Sequence, residues 1–187
     1  MPVPPGQGMT TPDLTPRAQR LVWWALLIGG LVGGVLDIVF AISFAAYSGI
    51  PVLRLLQSVA SGLLGKDAYS GGWPSAALGL FLHFAMAIAF AGAFVLASRR
   101  FRLLVQRPFL FGGLFGVAVF LFMRLVVLPW SAFPHPVSFR PLATTLDLLS
   151  HIFLFGIPIA LAAREVSRRS PTVELRASPS AAADAKR

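Results

Sequence analysis

The sequence contains no cysteine, and charged residues make up only 12% of the chain. The absence of cysteine excludes disulfides, thiolate metal sites and a thiol nucleophile. The scarcity of charge matters more, because roughly a quarter of the residues in a typical soluble domain are charged. With 56% of its 187 residues apolar, a soluble protein of this size could not cover its apolar surface. The composition therefore predicts a protein that lies in the hydrocarbon of a membrane.

Motifs for catalysis and nucleotide binding are missing as well. No P-loop or dinucleotide-binding glycine pattern follows a strand. Ser150 precedes His151, but adjacent residues do not face each other on a helix and so do not form a nucleophilic pair. The net charge of +9 lies mostly in the terminal segments and one short loop, without interleaved aromatic residues, which argues against nucleic-acid binding. We therefore expect a non-enzymatic protein without a nucleic-acid partner.

Four apolar runs are long enough to cross about 30 Å of hydrocarbon as helices. They extend over about residues 21–47, 75–97, 108–128 and 143–163. The first run is far longer than the roughly 7–15 apolar residues of a signal peptide, which indicates a retained helix. Pro158 lies inside the fourth run, and we expect it to kink that helix. The sequence thus predicts an all-α, polytopic integral membrane protein with a single four-helix transmembrane domain over residues 21–166.

A shorter segment with helical spacing follows the first run at residues 51–64. About 14 helical residues span only roughly 21 Å, which is too short to cross the membrane. We expect this segment to be an interfacial amphipathic helix, with a re-entrant segment as the alternative, and residues 65–74 to be a loop. The predicted apolar face carries Val52, Leu55, Leu56, Val59 and Leu63. The predicted polar face carries Arg54, Gln57, Ser58 and Ser61.

The distribution of lysine and arginine predicts the orientation of the bundle. Most basic residues lie in residues 1–20 and 167–187, which we expect to be disordered tails, and in the loop at residues 99–107. The opposite ends of the runs carry Arg54, Lys66 and Arg140. The positive-inside rule therefore places both termini in the cytoplasm. Two aromatic belts agree with this orientation: Trp23 and Trp24 inside, and Tyr47, Trp73 and Trp130 outside.

Five ionisable residues interrupt the apolar runs, where a charge usually faces a partner or a water-filled cavity. They are Asp37, His83, Arg124, Asp147 and His151. At a rise of 1.5 Å per residue, each lies about 18–24 Å from the cytoplasmic end of its helix, so all share one level in the outer half. Arg124 is predicted either to hold the bundle in register through Asp37 or Asp147, or to line an outward-facing pocket roofed by residues 51–64. A haem or metal ion held by His83 and His151 is a third hypothesis, although no attachment motif is present.

Small residues form a second pattern at the cytoplasmic end of the runs. Glycines four apart let helix backbones approach closely. They are Gly29, Gly30, Gly33 and Gly34 in the first run, and Gly112 and Gly116 in the third. The pattern predicts a bundle that is tight at the inner end and polar at the outer end. The same glycine faces are also candidates for binding a membrane partner or a second copy of the chain.

Several segments resemble a group of small, uncharacterised bacterial inner-membrane proteins with four helices. They are QSVASGLLG at residues 57–65, LHF at 82–84, VLP at 127–129 and HIFLFGIPIA at 151–160. The resemblance covers about residues 25–165. It implies a four-helix topology in a bacterial inner membrane, and it implies no particular activity.

Three classes of function remain open. The first, and the leading expectation, is an accessory or structural membrane subunit that uses its glycine faces and surface helix to bind a partner. The second is a small transporter or proton-handling protein with the polar cluster around an outward-facing pocket. The third is a redox protein with haem or a metal between the two histidines, whereas the first two need no cofactor.

Overall fold

The computed structural model of the protein describes residues 16–169, and every regular element in this range is helical. Four helices in this range are long and apolar enough to cross a membrane, which confirms the predicted all-helical fold. The four candidate spans are Leu26–Tyr47, Gly72–Arg100, Pro108–Trp130 and Pro141–Arg169. The remainder of the two predicted tails, residues 1–15 and 170–187, lies outside the described residues.

The described residues form six helices, labelled in chain order, and one 3-10 turn. They are α1 (Pro16–Tyr47), α2 (Val52–Leu64), the 3-10 turn (Gly65–Tyr69), α3 (Gly72–Arg100), α4 (Leu103–Gln106), α5 (Pro108–Trp130) and α6 (Pro141–Arg169). The first helix therefore begins before residue 21, and α6 continues beyond residue 166, so the inner parts of both predicted tails are helical. The predicted loop at residues 65–74 is largely helical too. Gly65 and Gly72, with φ of 62° and 59°, allow the chain reversals at the two ends of that turn.

Both α5 and α6 contain a π turn shortly before a proline. The turns are Met123–Val127 in α5 and His151–Gly156 in α6. Pro129 and Pro158 each follow two residues later, and the residue before each proline donates its N–H to the carbonyl oxygen five residues earlier. A proline ring in a regular α-helix clashes with the carbonyl four residues back, and a wider turn relieves that clash. The irregularity predicted at Pro158 is thus a π turn, and the two turns carry Arg124 and His151.

The glycines predicted to pack helices are all buried within this chain. They are Gly29, Gly30, Gly33, Gly34, Gly112 and Gly116. In α1, Gly29 and Gly33 face α6, and Gly30 and Gly34 face α3. A Cβ atom on Gly30 would lie 2.8 Å from the Cα atom of Ile88. In α5, a Cβ atom on Gly116 would overlap the carbonyl of His151. These glycines therefore make contacts between the helices of one bundle and leave no free glycine face in the described chain.

The α2 helix packs on α3 with a face that the sequence assigned largely to the polar side. Its buried residues are Leu56, Gln57, Ala60 and Ser61. The two helices touch at Gly79, where a Cβ atom would overlap the carbonyl oxygen of Leu56, and the Ser61 hydroxyl donates to a carbonyl oxygen of its own helix. Val52 and Leu63 are exposed instead. The contact with α3 thus uses part of the predicted polar face, because a helix in lipid packs through small and polar residues and leaves apolar ones outside.

The larger buried apolar cluster lies toward the arginine-rich end of the bundle, and a smaller one, of Ile38, Leu56 and Ala76, lies where α2 meets α1 and α3. The larger cluster includes Phe94 of α3, Val119 of α5 and Ile159 of α6. Large apolar side chains on the outer faces of all four spans are exposed, as lipid contact requires. Trp23 at this end and Trp130 at the opposite end are also exposed, which fits the two predicted aromatic belts.

Candidate functional site

A cavity of about 670 Å³ lies at the end of the bundle opposite the arginine-rich loop. The five ionisable residues of the apolar runs all line it: Asp37 of α1, His83 of α3, Arg124 of α5, and Asp147 and His151 of α6. Residues 55–63 of α2 contribute one wall of the cavity, and residues 131–140 contribute another. The four spans and α2 therefore enclose a polar site at the level where the sequence predicted a pocket.

Arg124 makes the closest ion pair in this cavity. Its Nη2 donates to Oδ2 of Asp147 at 2.8 Å, and its Nη1 donates to the carbonyl oxygen of Ser138 at 2.8 Å. The guanidinium also makes cation–π contacts with the rings of Phe120 and Phe139, whose centres lie 5.1 and 5.5 Å away. The sequence left Asp37 and Asp147 as alternative partners of Arg124. The structure pairs it with Asp147, which ties α5 to α6.

His151 lies between the two carboxylates of the cavity. Its Nδ1 is 2.9 Å from the carbonyl oxygen of Asp147, 3.3 Å from Oδ1 of the same residue and 3.9 Å from Oδ1 of Asp37. Because a carbonyl oxygen only accepts, Nδ1 carries a proton and donates it. The two aspartates and Arg124 together carry one net negative charge. A protonated His151 would neutralise it.

Ser150 connects α6 to α1, and the sequence analysis gave it no role in the site. Its hydroxyl donates to Oδ1 of Asp37 at 2.9 Å, and the residue is only 3% exposed. A serine within a helix usually bonds to its own backbone, as Ser150 also does at the carbonyl oxygen of Asp147, so its type alone carries no signal for a partner on another helix. Within residues 16–169, Oδ2 of Asp37 has no hydrogen-bond partner.

His83 joins α3 to α1 at the same level. Its Nε2 donates to the carbonyl oxygen of Gly34 at 2.9 Å, and its ring packs edge-on against Phe84. His83 and His151 thus each use one ring nitrogen to bind a backbone oxygen. Among residues 16–169, no group of three or more His, Cys, Asp or Glu side chains is arranged to hold a metal ion. A haem or metal site between the two histidines stays a prediction.

Exposed residues of the segment 131–140 form the rim of the cavity. His135 is exposed and lines this rim, with its ring 5.7 Å from that of Tyr69. The guanidinium of Arg54 lies over the same Tyr69 ring, 5.2 Å from its centre. Arg140 lines the cavity and is exposed. A solvated positive charge therefore lies at the entrance, whereas the carboxylates lie deeper.

Comparison with known proteins leaves the family open: no protein-family model, curated protein or solved structure matches this chain significantly. The resemblance to small bacterial inner-membrane proteins consequently stays a prediction. The cavity and the side chains that line it are therefore the main guide to function.

Proposed function

We propose that this protein is a multi-pass integral membrane protein of a bacterial inner membrane. In this arrangement α1, α3, α5 and α6 cross the bilayer, and α2 lies at the outer interface. The exposed apolar faces of the spans and the exposed tryptophans at both ends support it. The arginine-rich loop at residues 99–107 lies at the same end of the bundle as the N-terminal end of α1 and the C-terminal end of α6. By the positive-inside rule this end faces the cytoplasm, and the cavity faces the outside.

We further propose that the protein is a small transporter or proton-handling protein. The observation that carries this proposal is the convergence of ionisable side chains from all four spans on one cavity of about 670 Å³. Small-molecule sites have volumes of about 300–1,000 Å³. Ionisable residues at membrane depth typically mark a solute or proton pathway. Carboxylate oxygens of Asp37 and Asp147 lie 3.9 and 3.3 Å from Nδ1 of His151, so the imidazole can exchange protons between them through water in the cavity.

An accessory or structural subunit is the alternative function, and it has less support. Its main basis was the set of glycines in α1 and α5, and these are buried against helices of the same chain. Association with a partner or a second copy would therefore use the exposed apolar faces of the spans. Lipid covers those faces equally well, so they do not favour a partner.

Cysteine labelling tests the transport proposal without knowledge of the substrate, because the native chain has no cysteine. Ala41 lines the cavity, whereas Ala77 is exposed on α3 and is not among the residues that line it. Each lies seven residues outward of the contact between Gly34 and Phe84, so Ala41→Cys and Ala77→Cys carry the same substitution near the same depth. We expect a membrane-impermeant thiol reagent to modify Ala41→Cys in right-side-out vesicles and to spare Ala77→Cys, because thiolates form only in contact with water.

Inside-out vesicles distinguish transport from simple binding. A transporter must expose its cavity alternately to both sides, so Ala41→Cys should also react slowly from the cytoplasmic side. Reaction from the outside alone would contradict transport and leave a binding protein. Equal protection of Ala41→Cys and Ala77→Cys from both sides would contradict a water-filled cavity altogether.

A further inference from the structure

Asp37 provides a charge in the cavity that the protein leaves only partly satisfied. Ser150 donates one hydrogen bond to Oδ1, and the Nδ1 atom of His151 lies 3.9 Å away, beyond hydrogen-bond distance. Oδ2 has no hydrogen-bond partner within residues 16–169. The Asp37 side chain is 14% exposed, and Asp37 lines the cavity. A carboxylate in this position favours a cation or a hydrogen-bond donor that arrives from the cavity.

The positive group of the cavity floor is already engaged. Arg124 binds Asp147 and the Ser138 carbonyl oxygen through its two terminal nitrogens. Its Nε has no hydrogen-bond partner within residues 16–169, but that atom is buried where a ligand in the cavity does not reach it. The charge of Arg124 and its terminal N–H donors are therefore already engaged by the protein. Arg140 at the rim is exposed, so water and salt screen its charge more strongly than that of Asp37. The floor of the cavity consequently selects for positive rather than negative head groups.

The walls next to Asp37 are apolar. Ile38 and Ala41 lie on the same helix, Leu82 and Met86 come from α3, and all four line the cavity. Methionine fills irregular space and accepts ligands of different shapes. The cavity thus combines a largely apolar wall with one available carboxylate at its floor.

We propose that the cavity binds amphiphilic organic cations, with the carboxylate of Asp37 as the counter-charge. This inference rests on the proposed transport function and names its substrate class. The apolar body of the ligand lies against the walls from α1 and α3, and its cationic head lies beside Oδ2 of Asp37. Ser150 acts as a positioning residue, because its hydrogen bond to Oδ1 fixes the rotation of the Asp37 carboxylate and leaves Oδ2 for the ligand.

Two probes of matched shape and opposite charge test the proposal. Binding of tetraphenylphosphonium and of tetraphenylborate to the full-length protein in lipid nanodiscs is measured by equilibrium dialysis, with protein-free nanodiscs as the blank. We expect saturable binding of the phosphonium that weakens by about tenfold or more in Asp37→Asn, because a desolvated charge pair is lost. Asp37→Glu keeps the charge and should restore most of the affinity. Asp67→Asn, at an exposed aspartate near the same end of the bundle, should leave it unchanged.

The outcomes separate this inference from the proposed function. Tetraphenylborate that binds as tightly as tetraphenylphosphonium, or phosphonium binding that is unaffected by Asp37→Asn, would overturn the cation site. So would the absence of saturable binding of either probe. In each of those cases, labelling of Ala41→Cys from both sides would still support transport, but of a solute with different chemistry. Melting temperatures of the variants without ligand show whether a loss of binding reflects loss of the fold.

Discussion

At the residue scale, the ion pair of Arg124 and Asp147 should contribute to stability as a coupled unit. Its nitrogen and oxygen lie 2.8 Å apart, and the two side chains are 18% and 38% exposed. Breaking a fully buried pair costs about 3–5 kcal/mol, and exposed pairs contribute about 0–1 kcal/mol. We therefore expect Arg124→Met to destabilise the folded state by about 1–2 kcal/mol, measured by reversible unfolding in detergent.

A double-mutant cycle shows whether that loss belongs to the pair. Asp147→Asn in the Arg124→Met background should be less destabilising than in the native chain, because the carboxylate has already lost its partner. Additive effects of the two substitutions would contradict the pairing. Arg169→Met provides the control, since the Arg169 and Glu165 side chains are 68% and 52% exposed and their contact should contribute little.

The sequence predicted the depth of the polar residues better than their partners. Counting residues along each helix placed five ionisable side chains at one level, and all five line the cavity. Which aspartate meets Arg124 depends on the rotation of each helix about its axis, and an apolar sequence does not fix that rotation. Ser150 was overlooked because its hydroxyl can be satisfied within its own helix, and only the neighbouring α1 shows that it reaches Asp37.

At the scale of helices, the contact of α5 with the π turn of α6 should be the most sensitive to added volume. A Cβ atom on Gly116 would overlap the carbonyl of His151, whereas one on Gly113 would lie 3.7 Å from Ile152 Cγ2, an ordinary contact distance. We expect Gly116→Ala to destabilise the fold by about 1–3 kcal/mol, because the two helices must separate. Thermal unfolding in detergent should show little change for Gly113→Ala. Equal melting temperatures for the two variants would contradict this packing.

Helix limits were easier to predict than helix faces. The apolar runs gave the four spans to within a few residues at most ends, because hydrophobic length is set by membrane thickness. The amphipathic pattern of α2 separated its two faces, but it did not show which of them packs on α3. The close contact with α3 at Gly79 selects small and polar residues such as Ser61. The π turns had only the prolines as a signal, and a proline indicates an irregular helix without specifying its form.

At the scale of the whole molecule, the bundle has two chemically different ends. One end holds the larger apolar cluster and the arginines of the loop at residues 99–107. The other holds the cavity, the carboxylates and a smaller apolar cluster next to α2. Between the two, the spans pack closely through glycines such as Gly30 and Gly112. A solute in the cavity would therefore reach the arginine-rich end only through a larger movement of the spans.

That asymmetry makes the orientation of the bundle testable with two further cysteines. Ser70 lies between the 3-10 turn and α3 at the cavity end, Gln106 lies at the end of α4 at the opposite end, and both are exposed. If the positive-inside rule holds, an impermeant thiol reagent added to intact cells should modify Ser70→Cys and should reach Gln106→Cys only after permeabilisation. The reverse pattern would place the cavity on the cytoplasmic side, and the cavity would then not receive a solute directly from outside the cell. The fold would be unchanged by that result, because helix packing depends on the contacts between the spans and not on the side from which the bundle entered the membrane.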